Sequence, residues 1–172
     1  FRTSSKDGGR TWSRPEKMAG VSHAPHGPVL AEDGSLLMLG RSFAGGDART
    51  RGENAKDRRT IISAWRSTDA ARTWTCLNPE IPDEDGESRR PHAFHEPHLV
   101  DLGGGRLLGL VRYEFDDHRI RQTDSTDGGR TWTKMRKTDM VGLPPHVIRL
   151  ADGKLVASYG RRKNLPAMGE YA

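Results

Sequence analysis

Three arginines occupy equivalent places in a repeated pattern: Arg41, Arg112 and Arg161 each close a short strand-like run. Guanidiniums that converge on a depression without matching carboxylates repel one another, and an anion seated among them relieves that repulsion. The three are therefore anion-binding candidates, with Glu96 on the same face of the repeat. Seven histidines crowd the same positions. His23 and His26, then His92, His95 and His98, then His146 precede or open the first strand of a unit, while His118 follows a second strand. Recurring Pro-His pairs favour imidazoles that bond backbone at the start of each unit, and His98 joins Arg41 and Arg161 as a substrate-binding candidate. The run His92-Ala-Phe-His95-Glu96-Pro-His98 brings imidazoles and a carboxylate together. A zinc-binding HExxH motif needs its histidines four apart on one helical face, and Pro97 opposes a helix here. No metal and no cofactor are expected.

These residues hang on a repeat that appears three times. SSKDGGRTW at 4–12 returns as STDAARTW at 67–74 and as STDGGRTW at 125–132, with the aspartates Asp7, Asp69 and Asp127 spaced by 62 and 58 residues. A second phrase lies in each unit, beginning PHGPVL at Pro25, PHLVDL at Pro97 and PHVIRL at Pro145. A catalytic acid is needed once per site but a turn once per unit, so the three aspartates read as structural. Each Asp side chain can accept amide hydrogen bonds from its own turn, and Gly-Gly permits the positive φ angles of a tight hairpin. The middle copy, Asp69-Ala70-Ala71, lacks both glycines and predicts a more strained turn.

Each unit parses into four strands, A to D, with turn signals between them. The first predicts strands at 26–31, 35–41, 60–67 and 73–77, and the second at 98–102, 106–112, 119–125 and 131–135; the third supplies 146–150 and 154–160. Four-stranded units of this length are the sequence signature of β-propeller blades, so the chain is expected to be all-β and to cover about three blades as one partial propeller domain, 1–172, truncated at both ends. Stacked blades bury a core that one blade alone cannot. In an antiparallel meander the A–B and C–D turns share one end. That end takes the Asp boxes, and the other end collects Glu96, the histidines, the B-end arginines and the polar insertion 44–59.

Composition narrows the function classes. The chain has 172 residues, 33% hydrophobic and 30% charged, with a net charge of +5. Positive charge suits an anionic partner, but no basic run interleaved with aromatics suggests nucleic acid. The longest apolar runs are strand-sized, far short of the roughly 18 residues of a membrane-spanning helix. Cys76 is the only cysteine, which excludes an internal disulfide, and its apolar strand position predicts an inert buried thiol.

Ser5-x-Asp7-x-Gly9-x-Thr11-Trp12 and Ser125-x-Asp127-x-Gly129-x-Thr131-Trp132 resemble the Asp box, or BNR repeat, of the sialidase superfamily. FHEPHLVDLGGGRLLGLVR (94–112) and GLPPHVIRLADGKLVASYGRR (142–162) look like consecutive central blades of bacterial sialidase-like glycoside hydrolases. The resemblance implies a six-bladed propeller acting on a sialylated or other acidic glycan. It implies retaining hydrolysis by a tyrosine nucleophile, an arginine triad and an aspartate acid/base, a scheme outside the usual two-carboxylate one. By position, Glu96 is similar to the glutamate that assists the tyrosine and Arg112 to the middle arginine of the triad. An adjacent carboxylate can take a phenol proton and make a nucleophile of a group with a pKa near about 10. The third arginine is expected near GRRKNLPAMGEYA, where Arg161 and Arg162 come early and Tyr171 stands in the awaited place. The first arginine and the aspartate are expected before Phe1, and the tyrosine after Ala172. A secreted or periplasmic location follows from the same likeness. The rival readings are a non-catalytic propeller that binds glycan or protein, and a hydrolase or lyase of another anionic sugar such as a uronate.

Overall fold

The computed structural model describes residues 1–18, 25–43, 59–115 and 118–160. Ten strands form three antiparallel sheets in chain order. β1 (Val29–Leu30), β2 (Leu36–Phe43), β3 (Thr60–Ser67) and β4 (Thr75–Asn78) make the first sheet. β5 (Phe94–Gly103), β6 (Arg106–Tyr113), β7 (Arg119–Ser125) and β8 (Arg136–Val141) make the second, and β9 (Pro145–Arg149) with β10 (Leu155–Tyr159) the third. Both four-stranded sheets run as meanders, each the shape of a propeller blade. Among the described residues, a 3-10 turn, Glu87–Arg89, lies between the first two sheets.

Strands B and C fall where the spacing of short runs and turn signals puts them, and three other expectations need correction. β5 begins at Phe94 rather than His98, whereas β1 keeps only two residues of the expected 26–31. Strand D of the second blade is Arg136–Val141 instead of 131–135. The chain leaving the box is still held by it there: Thr133 N donates to Asp124 O at 2.9 Å, and Met135 N then reaches across to Pro82 O at 2.8 Å. Cys76 is exposed, not buried, because β4 is the outermost strand of its sheet. Burial of part of the side chain still pushes its thiol pKa up, so it stays protonated at neutral pH.

The three boxes share one hydrogen-bond pattern. Asp127 Oδ1 accepts from Arg130 N at 3.0 Å and Thr131 N at 2.9 Å, while the Thr131 hydroxyl donates to Oδ2 at 2.6 Å. Asp7 and Asp69 repeat this with Thr11 and Thr73. Hydrogen bonds to the charged form hold all three carboxyls far below their ordinary range, Asp127 to about 2. Ala70 and Ala71 adopt φ of 57° and 65°, so the middle box keeps its bonds in a left-handed conformation that L-residues resist. Trp74 is buried and Trp132 half-buried against the blade, the Trp132 indole donating to Gly129 O at 2.9 Å, whereas Trp12 is exposed.

The core lies between sheets. Leu39, Ile62, Phe94, Val111 and Tyr113 join the first blade to the second, and Val100, Leu110, Ile120 and Val147 join the second to the third. Each such side chain contributes roughly 1.5–3 kcal/mol by leaving water. The A–B turns and boxes share one end, around a cleft of about 390 Å³ lined by Asp33, Gly105 and Asp127 among others. The opposite end carries Arg41, Glu96 and Arg112, which close or enter the strands there.

Candidate functional site

Register decides which side chains meet at that end. Along β5 and β6, His95 lies opposite Arg112 and His98 opposite Leu110, so β5 spends three residues where β6 spends two. The extra residue is a β-bulge, which re-aims a side chain and ends regular pairing. Glu96 takes it up with φ of 43°, immediately before Pro97. A left-handed glutamate is strained backbone, held only because the surrounding strands over-determine it.

The bulge delivers Glu96 to Arg112. Arg112 Nη1 donates to Glu96 Oε2 at 2.8 Å, and Nη2 donates to Glu114, which sequence reasoning did not single out. The Arg112 side chain is 14% exposed. Burial works against its charge, but Glu96 and Glu114 more than compensate and its pKa is raised. Arg112 is a fixed cation between two carboxylates.

Arg41, at the end of β2, approaches from the first blade. Its Nη1 lies 2.7 Å from His95 Nδ1 and its guanidinium stands 4.9 Å above the Phe43 ring. Among the described residues no carboxylate lies within ion-pair distance of it, and its buried Nε has no partner. Burial and the nearby Arg112 cation lower its pKa, with Glu96 opposing them. His95 Nε2 is 2.7 Å from the His92 carbonyl oxygen, so that nitrogen carries the proton and Nδ1 is left to accept from Arg41.

His98 does not join this group. It is buried at 7% exposure on β5, where its Nδ1 accepts from Val147 N at 3.1 Å and ties the second blade to the third. Its ring stacks on His146 at 4.2 Å and meets the edge of His26 at 5.1 Å. Burial first, then the two neighbouring imidazoles, push its pKa down to about 4. His98 and His146 line a cleft of about 450 Å³ between the inner strands. His26 feels the field of Glu96, so the trio and the Glu96 group are neighbours. His118 lies beyond β6 with its Nδ1 buried and unbonded. Among the described residues, no group of histidine, cysteine and carboxylate side chains has the arrangement of a metal site. His23, Arg161, Tyr171 and residues 44–58 of the insertion lie outside the described residues.

A profile described as BNR repeat-like domain matches residues 1–168. No curated protein matches the chain. Among solved structures, a protein of unknown function from Dyadobacter fermentans DSM 18053 aligns with a TM-score of 0.74 at 19% identity, over 93% of this chain and 44% of that one. The NanB sialidase from Streptococcus pneumoniae, in complex with 2-[(3-chlorobenzyl)ammonio]ethanesulfonate, aligns with a TM-score of 0.61 at 20% identity, over 90% of this chain and 22% of that one. A single-residue mutant of NanB gives 0.53 and 17% over 79% of this chain and 18% of that one. At these identities the likeness is one of fold, and the chain spans less than half the length of each.

Proposed function

Because the chain belongs to the BNR repeat-like domain family, we propose that the whole protein is a six-bladed propeller and a sialidase-like glycoside hydrolase that removes a terminal acidic sugar with retention. The observation that carries this reading is the Glu96–Arg112 pair at 2.8 Å, set at the loop end of two blades with Arg41 beside it. In this reading the guanidiniums receive the sugar carboxylate. Glu96 keeps Oε1 free of hydrogen bonds from the described residues and accepts the phenol proton of a tyrosine supplied elsewhere in the protein. The test is hydrolysis of a fluorogenic sialoside by the full-length protein. Glu96→Gln and Arg112→Ala are each expected to lower kcat/KM by about 10²- to 10⁴-fold. No turnover from a well-folded wild type would overturn the reading.

A second reading rests on the histidine trio, which has no part in sialoside hydrolysis. His26 keeps its Nε2 without a hydrogen-bond partner, and burial lowers its pKa; a neutral imidazole with a free nitrogen is a competent base. A uronate lyase would use such a base to take the C5 proton; the C4–O bond then breaks, a C4–C5 double bond forms, and the leaving oxygen is protonated. Appearance of an ultraviolet-absorbing unsaturated uronate, without sialoside turnover, would select it. Sugar binding with neither product would select a non-catalytic glycan-binding propeller.

A further inference from the structure

The charges at the site are not shared evenly. Arg112 gives both terminal nitrogens to carboxylates, Glu96 and Glu114. Arg41 gives one nitrogen to a neutral imidazole and has no carboxylate within ion-pair distance among the described residues. A guanidinium carries five N–H donors, so most of Arg41's remain to be used. Its position is nevertheless fixed. Phe43 lies beneath it, and His95 is itself fixed through Nε2 to the His92 carbonyl.

We propose that Arg41, held in place by His95, is the guanidinium that first meets the anionic group of the ligand, and that this hold exists only while His95 is neutral. The inference rests on the acidic-sugar reading and assigns the contact to a residue of the blade before the Glu96–Arg112 blade. His95 is a positioning residue, not a catalytic one. Protonation would turn Nδ1 from acceptor to donor and set it against the N–H of Arg41. The groups facing His95 are Arg41 from β2, Arg112 and Glu114 from the β6 side, and the His92 ring stacked at 5.9 Å. Burial is the largest influence and keeps the imidazole below its ordinary pKa of 6.5. Anion binding is therefore level at neutral and alkaline pH, and it weakens as the pH falls below 6.5.

The test uses the full-length protein and the methyl α-glycoside of N-acetylneuraminic acid, with methyl glucuronide as the second probe, followed by calorimetry at about pH 7.5 and about pH 5. Arg41→Gln and His95→Phe are expected to weaken binding about ten- to a hundredfold at the higher pH. His95→Asn, whose Oδ1 can stand in for Nδ1, is expected to retain affinity and lose the acid-side decline. Wild-type affinity in Arg41→Gln, or wild-type binding that strengthens in acid, overturns the proposal and leaves the acidic-sugar reading standing. Nitrogen NMR of the histidines supplies a ligand-free arm: an Nδ1 signal of His95 that shifts in Arg41→Gln supports the hold, and an unmoved signal overturns it. If the wild type binds neither glycoside, the acidic-sugar reading fails and takes the anion role of Arg41 with it.

Discussion

Ala70 and Ala71 occupy left-handed positions that Gly8-Gly9 and Gly128-Gly129 fill in the other boxes. Ala70 is exposed, so a glycine there loses no packing and removes a penalty of about 1–2 kcal/mol against an entropic cost of about 0.5–1. Ala70→Gly is expected to raise the unfolding free energy by about 0.5–1 kcal/mol in urea; a decrease would mean the turn is not strained. Ala71→Gly should gain less, because Ala71 packs with Met38 and Trp74. His98 carries a second prediction. Its folded pKa is about 4 against 6.5, so as the pH falls below 6.5 the unfolded chain binds the proton first. Stability from this group is complete above 6.5 and is lost progressively towards 4, by roughly 1–3 kcal/mol. His98→Asn, which can still accept from Val147, should reduce the slope of stability against pH across that window. An unaltered slope would place the titration elsewhere. The boxes were legible in the sequence because their chemistry is local: Ser, Asp and Thr within six residues close their own turn. Glu114 was not, since its value comes from pairing with Arg112 across a strand end.

At the scale of elements, the blades touch where a glycine makes room. A Cβ on Gly109 would stand 2.6 Å from Leu39 Cδ1 and 3.1 Å from Thr123 Cγ2. Gly109→Val is therefore expected to cost about 1–3 kcal/mol, and Leu39→Ala about 2–5. The double variant should cost less than the sum, with a coupling of about 0.5–3 kcal/mol in a double-mutant cycle. Additive costs would show that the two blades do not pack through this pair. Strands B and C could be read because they are short runs that end at turns. The strand D at 136–141 could not, since Thr131–Met135 is held by contacts to Asp124 and Pro82 that no local pattern encodes. The bulge at Glu96 was equally silent, although Pro97, which has no N–H for the ladder, marks a place where regular pairing cannot continue.

At the scale of the molecule, apolar side chains face outward on the first and third sheets. Leu30 is 68% exposed, and Ile148, Leu155 and Val156 are each above 40%. Exposed apolar faces with strand edges invite association. The 172-residue chain is expected to self-associate or melt without cooperativity. A monodisperse, cooperatively melting monomer of the 172-residue chain would overturn this expectation. The division of the molecule into a turn end and a loop end was legible from the order of phrases along the chain. The distribution of charge at the loop end was not, because it depends on which blade lends which arginine.

The step of three residues in β5 against two in β6 also has a hereditary meaning. It is one codon. An in-frame deletion at Glu96 or Pro97 would let the two strands pair regularly from Phe94 to Asp101, dissolve the left-handed backbone and withdraw the carboxylate. A blade that sets a carboxylate beside the Arg112 guanidinium and a blade that does not are thus a single genetic event apart.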